Sequence, residues 1–263
     1  MTDDEIRVAA AEKLLEERNF GATITETTPL AMTPYVMEFA GSLGGGSPAI
    51  LPVSEDPLGR YGWCNDGVRL KVAAEGGEPV YGWVIWEWAP ALLTAEFHCV
   101  WRSPEGALID ITPKPRREET IVFVDDAAYP ADFDFDQRPR NRRMNIYGPA
   151  IRAARLEGLL GRMTPSQRQY ETGRAAKAGL SLDQWLARKT SADAVSDAID
   201  GLIAACDEFE VYYDSLGMSG FVRVDQTFAA LGRKRLAAQA RCKVLLRGLK
   251  NPAAGHAADV GAA

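Results

Sequence analysis

Apolar and polar positions change rhythm along the chain, from short alternating runs in its first half to helical spacing in its second. Over 3–18, Ile6, Ala9, Ala10, Leu14 and Leu15 recur at helical spacing behind Asp3, Asp4 and Glu5, which suit the positive end of a helix dipole. An amphipathic opening helix is expected there. Residues 23–28 are rich in β-branched side chains, and 34–39 form a second short extended candidate. Over 68–77 two periods compete. Val68, Leu70 and Val72 alternate as a strand does, while the Val68/Val72 spacing, Ala73-Ala74 and the closing Gly76-Gly77 suit a short helix with a glycine C-cap, which is favoured. Segments 79–88 (PVYGWVIWEW) and 120–125 (TIVFVD) read as strands, and 94–113 as a hairpin. From Tyr147 onward every pattern is helical: 149–162, 164–178, 181–189, 191–215 and 226–250, with Thr164-Pro165 and Ser181 as start signals and Gly179 as a break.

The hairpin's turn fixes which side chains share a face. Ser103-Pro104-Glu105-Gly106 places Pro where a type I turn accepts it and Gly where the left-handed residue of a three-residue loop belongs. With Pro104, Glu105 and Gly106 as the loop, Ser103 pairs with Ala107, Val100 with Asp110 and His98 with Thr112. Glu96, His98 and Val100 then share a face with Asp110 and Thr112. His98 and Asp110 become diagonal neighbours about 7–8 Å apart, within side-chain reach. Cys99 falls on the other face. A two- or four-residue loop would separate His98 from Asp110.

These elements predict an α+β protein: an antiparallel sheet with a cysteine-bearing helix, then a C-terminal helical region. The expected organisation is an α+β domain over 1–130, a charged linker over 131–146, a helical region over 147–250 and a disordered tail over 251–263 holding His256. The linker reading rests on Asp132, Asp134 and Asp136 followed by Arg138, Arg140, Arg142 and Arg143. Residues 114–119 read as a charged turn. Residues 41–48 (GSLGGGSP) lack the Lys-Ser/Thr of a P-loop and read as a flexible loop, with a flap near a site as the functional alternative.

Composition narrows the classes. At 263 residues, 46% hydrophobic and 25% charged, with no run near the ~18 apolar residues of a membrane span, a soluble protein is expected. The acidic N-terminus does not resemble a secretory signal, so a cytoplasmic location follows as an expectation. Cys64, Cys99, Cys206 and Cys242 show no metal-ligand spacing, and neither a metal nor a cofactor is expected. The net charge of −6 disfavours nucleic acid as a partner, although 226–250 holds seven bases and no acid. The preceding 191–215 holds seven acids and no base, so an antiparallel pair accounts for both. A protein partner bound through these helices is a further possibility.

The chemistry-bearing residues are Cys64, His98 and Asp110, in that order, and His98 is the one histidine expected to be ordered. A thiol at its ordinary pKa needs a nearby base to act as a nucleophile. The imidazole needs an acceptor on its other nitrogen, for which Asp110 is the candidate and Glu96 the alternate. The Cys64 backbone N–H would bind an oxyanion, with Tyr61 and Asn65 near in the chain. Five of the six tryptophans (Trp63, Trp83, Trp86, Trp88 and Trp101) lie between 63 and 101, as core or as the walls of a cleft.

Gly62-Trp63-Cys64, a short helix, an aromatic strand, a His strand and the Asp110-Ile111-Thr112-Pro113 strand resemble the core of the transglutaminase-like and papain-like thiol superfamily. That superfamily includes arylamine acetyltransferases and cell-wall peptidases of the NlpC type. The resemblance covers roughly 59–125. It implies Cys64 as nucleophile, His98 as base and Asp110 as orienting acid. Trp101 stands three residues after the His rather than the usual two, and Asp-Ile-Thr-Pro replaces the usual Asp-Pro-Thr. The expected activity is hydrolysis or transfer at an amide or ester carbonyl of a peptide or small acyl substrate, through a Cys64 thioester. The rival is a catalytically inactive relative serving as an interaction module.

Overall fold

The structure, a computed structural model, describes residues 5, 6, 9, 10, 12, 13, 26–189, 193–216 and 225–248. Most of the expected opening helix, the start of the 23–28 strand and the whole of the 251–263 tail with His256 lie outside the described residues. The chain forms two compact units, Met1–Met144 and Asn145–Ala263.

In the first unit, α1 (Pro34–Ser42) replaces the extended segment expected there. Thr33 caps it by accepting from the Val36 N–H, and Pro34 sits in the first turn, where its missing N–H costs nothing. Val36, Phe39, Ala40 and Leu43 then bury one face at helical spacing, a period that the prolines and the short run obscured. The expected glycine loop after α1 is tied to the sheet instead of free. Gly46 N–H donates to Asp125 O at 2.7 Å, and a Cβ on Gly45 would lie 2.4 Å from the same carbonyl oxygen.

The sheet comprises β1 (Ala49–Pro52), β2 (Glu78–Trp88), β3 (Leu92–Arg102), β4 (Leu108–Ile109) and β5 (Thr120–Asp125), in the order β1-β5-β2-β3-β4, with β6 (Arg142–Asn145) also pairing β3. β2 and β3 pair antiparallel over their whole length, Glu78 opposite Arg102 and Trp88 opposite Leu92. The β3–β4 hairpin has the expected register: Trp101 pairs with Ile109, Arg102 with Leu108, Ser103 N–H donates to Ala107 O, and Gly106 takes φ 91°. The pairing then stops, and the expected Val100/Asp110 and His98/Thr112 pairs do not form. Asp110 N–H donates to Pro52 O at 3.0 Å and Asp110 O accepts from Ser54 N–H at 2.9 Å, so its backbone groups bond to the chain around the end of β1. The sheet thus curls until its outer strands meet.

Leu51, Val84, Val100, Ile121 and Phe123 form a buried cluster on one face, joined by Val53, Val80, Trp86 and Leu108. Tyr81, Trp83 and Phe97 project from the other. Phe133 and Phe135 pack on Tyr81 and Phe97, and Arg142 donates to Ser42 O and Leu43 O at the end of α1 while lying over Trp83. Most of the stretch expected as a charged linker, up to Met144, is therefore part of the first unit. Its phenylalanines, spaced between aspartates, are half-buried against the sheet.

The second unit is helical: α3 (Tyr147–Arg162), α4 (Pro165–Lys177), α5 (Leu182–Ala187), α6 (Ala194–Ser215) and α7 (Gln226–Gly248). Reciprocal capping boxes, Thr164 with Gln167 and Ser181 with Gln184, start α4 and α5. α6 and α7 run antiparallel, since Ala198 meets Cys242, Glu208 meets Lys234 and Tyr213 meets Phe228. Their opposite charges face each other in part, as expected. Among the described residues no helix is long and apolar enough to cross a membrane.

Gly59, just before the cysteine-bearing segment, packs so closely on the chain after Asp110 that a Cβ would lie 1.8 Å from Ile111 O. Gly59→Ala is expected to destabilise the protein by about 1–3 kcal/mol in urea unfolding. Gly41→Ala, in α1 with nothing within 4 Å, should be neutral or stabilising by up to about 1 kcal/mol. Equal effects at the two positions would contradict the packing of 59 on 111.

Candidate thiol active site

Cys64 opens α2 (Cys64–Glu75), as the helical reading of this stretch required. Gly62, at φ 79°, turns the chain into it, and Gly76, at φ 80°, ends it with its N–H donating to Val72 O at 2.8 Å. Trp63 occupies the N-cap position but makes no side-chain capping bond. The first backbone N–H groups of α2 have no acceptors within the helix and point outward at its positive end. Lys71 pins α2 to the preceding loop through Asp56 at 2.7 Å and lies over the Trp101 ring, while Trp101 Nε1 donates to Gly76 O.

His98 and Asp110 are joined directly. His98 Nε2 lies 3.0 Å from Asp110 Oδ2, with the His98 side chain 7% exposed and Asp110 fully enclosed. The contact leaves Nδ1 as the ring nitrogen that Asp110 does not engage. Thr112 N–H donates to Asp110 Oδ1 at 2.8 Å, so the segment after β4 orients the carboxylate. β4 pairs with β3 only at Trp101 and Arg102, so at His98 the strand has no β4 neighbour.

α2 packs on the face of β3 that carries Cys99 and Trp101, opposite to the face of His98. Cys64 nevertheless bears electrostatically on both sides of the strand. Its charge adds to the rise in the pKa of Cys99 and Tyr81 on the helix side and of His98 on the other. No hydrogen bond joins the Cys64 thiol to the His98 ring among the described residues. His98 and Asp110 form a bonded pair, and Cys64, itself buried, stands within electrostatic range of it.

Neither a family model, nor a curated protein, nor a solved structure matches the chain.

The supporting residues divide. Glu96 shares the parity of His98, but it is exposed and its Oε2 accepts from Trp86 Nε1 at 2.9 Å, so the carboxylate bonded to His98 is that of Asp110. Asn65 fastens α2 to the sheet, its Oδ1 accepting from Tyr81 OH at 2.9 Å and from Arg69 Nε at 3.2 Å. Its Nδ2, the group able to donate to an oxyanion, lies 3.5 Å from Asp66 Oδ1. Tyr61 and Trp63 flank Cys64 and are half-buried. Cys99 is fully buried on the far face, as expected, and burial first, with Cys64 adding, pushes its thiol well above the ordinary range. The residue that sequence reasoning missed is Lys114. Read as part of a charged turn, it is instead 2% exposed, with Nζ 2.5 Å from Asp110 Oδ2. The only trace in the sequence was its place four residues after Asp110, which outside a helix predicts nothing.

Burial disfavours the charged form of His98, but the charges of Asp110 and Cys64 outweigh it and push its pKa up to about 10, with Lys114 opposing. Burial would likewise raise Asp110, yet the His98 and Lys114 charges and their hydrogen bonds hold it well below the usual carboxylate range. The raised histidine stabilises the fold fully below its unfolded pKa of about 6.5, and that contribution fades as pH climbs to about 10. The depressed carboxylate stabilises above its unfolded pKa of about 3.9 and is lost as pH falls below it. The pair therefore contributes most between about pH 4 and 6.5. In urea unfolding across pH 3–10, His98→Gln should flatten the decline above pH 6.5, and an unchanged slope would contradict a charged His98. Asp110→Ala, leaving Lys114 buried without its counter-ion, should cost about 3–5 kcal/mol at pH 6.

Proposed function

We propose that the chain is a thiol-dependent hydrolase or acyltransferase with a transglutaminase-like core, acting on an amide or ester carbonyl through a Cys64 thioester. The observation that supports this best is the buried His98–Asp110 pair, Nε2 to Oδ2 at 3.0 Å, within electrostatic range of a cysteine that opens a helix. Enclosed charges of this kind are costly for a fold and cluster at functional sites.

In this reading the Cys64 proton resides on His98 at rest, giving a thiolate and an imidazolium that Asp110 holds. The thiolate attacks the substrate carbonyl. The Cys64 backbone N–H, at the uncapped start of α2, donates to the resulting oxyanion. On collapse the C–N or C–O bond breaks, His98 returns its proton to the leaving amine or alcohol, and the acyl group remains on Cys64 as a thioester. Water or an amine, deprotonated by His98, then attacks the thioester, and the thiol leaves. The substrate class is a peptide or a small acyl donor.

Selective alkylation tests the reading. At pH 6 an ordinary thiol, with a pKa of ~8.5, is less than about 1% thiolate. Cys64 is expected to react with iodoacetamide at least about tenfold faster than Cys99, Cys206 or Cys242, and His98→Ala should abolish the difference. Mass spectrometry of peptides after timed labelling reads both. Labelling of Cys64 no faster than the exposed fraction of the other thiols would leave the inactive-module alternative.

A further inference from the structure

We propose that Lys114 is a positioning residue of this site, fixing the Asp110 carboxylate and sharing its charge so that His98 can give up the proton it carries. The inference rests on the thiol-enzyme reading and adds a fourth member to its set.

Asp110 Oδ2 is approached by two cationic groups, His98 Nε2 at 3.0 Å and Lys114 Nζ at 2.5 Å, and its Oδ1 accepts the Thr112 N–H at 2.8 Å. Both carboxylate oxygens are therefore occupied, and the carboxylate is held from three directions. The lysine has little solvent to stabilise its charge, since its side chain is 2% exposed. Its surroundings are the carboxylate and the face of Trp86, whose centroid lies 5.9 Å from Nζ. A lysine serving only to balance charge on the surface would extend into water.

The groups acting on His98 come from three places. Asp110 and Lys114 belong to the segment after β4, Cys64 to α2, and Glu96, on its own strand, is exposed and held by Trp86. An enclosed carboxylate facing His98 alone would hold the imidazolium too firmly for it to act as an acid toward a leaving group. A catalytic acid–base works best with a pKa near the operating pH. A second cation on the same oxygen weakens that hold, and it does so without moving the carboxylate.

The test uses the full chain with ¹⁵N-labelled histidine and lysine. The His98 ring titration is followed by NMR in wild type, Lys114→Met and Lys114→Arg. The pH profile of 4-nitrophenyl acetate turnover, whose thioester hydrolysis needs neutral His98, is measured alongside. In Lys114→Met the His98 midpoint should rise by about one pH unit or more, and the turnover profile should move the same way. Lys114→Arg should keep both near wild type. A midpoint unmoved in folded Lys114→Met overturns the proposal. If that variant does not fold, wild type decides. The Lys114 Nζ resonance must shift through the His98 titration, and a flat signal overturns the proposal. A midpoint that moves in a protein showing neither turnover nor selective Cys64 labelling sinks the enzyme reading alone and leaves the Lys114 coupling in place.

Discussion

One residue, Asp110, holds the first unit's sheet through its backbone and the candidate site through its carboxylate. Its backbone N–H and C=O bond to the chain around the end of β1 and bring the sheet's outer strands together. Its side chain, fully enclosed, bonds His98 and Lys114 on one oxygen and the Thr112 N–H on the other. A buried carboxylate is tolerated only when its charge is answered and its lone pairs are filled, and here both conditions are met by neighbours that the fold itself supplies. The geometry of the site and the closure of the sheet are for that reason a single constraint.

The surrounding packing makes the constraint stiff. His98 lies on the face of the sheet that holds Val84, Val100 and Phe123, so its ring sits beside close-packed aliphatic and aromatic groups. On the far face α2 is fixed at both ends, by Tyr81 OH on Asn65 and by Trp101 Nε1 on Gly76 O, and in its middle by Lys71 on Asp56. Gly59 against Ile111 O couples the approach to Cys64 to the segment that carries Asp110. The cysteine and the histidine pair are thus set by two different faces of one strand. The charge of Cys64 bears on His98, and no hydrogen bond joins the two side chains among the described residues.

Charge patterns misled wherever a charged side chain had a buried partner. Lys114 stood in a run of polar and charged residues and read as solvated, yet it is almost fully enclosed. The 132–143 stretch read as a linker from its aspartates and arginines, while Phe133, Phe135 and Arg142 anchor it on the sheet. On the other helical unit the pattern was a sound guide, because α6 and α7 each carry one sign of charge and meet along that edge, as Lys234 and Glu208 do.

Local rules were enough for much of the architecture. The Ser-Pro-Glu-Gly turn set the hairpin register to the residue, the Gly76-Gly77 pair stopped α2, and Thr164 and Ser181 started their helices, because each of these signals acts over a few residues through backbone geometry alone. The parity of β3 and its turn likewise anticipated His98 beside Asp110, although the pairing expected to bring them together ends at Ile109. The sequence by itself did not determine that Asp110 would leave β3 for β1, that Lys114 would follow it inside, or that α2 would lie on the face away from His98. Those outcomes depend on how a curled sheet satisfies the backbone groups of its edge strands, and on which buried charge a lysine finds within reach. Both join residues far apart in the chain, and only the tertiary structure decided them.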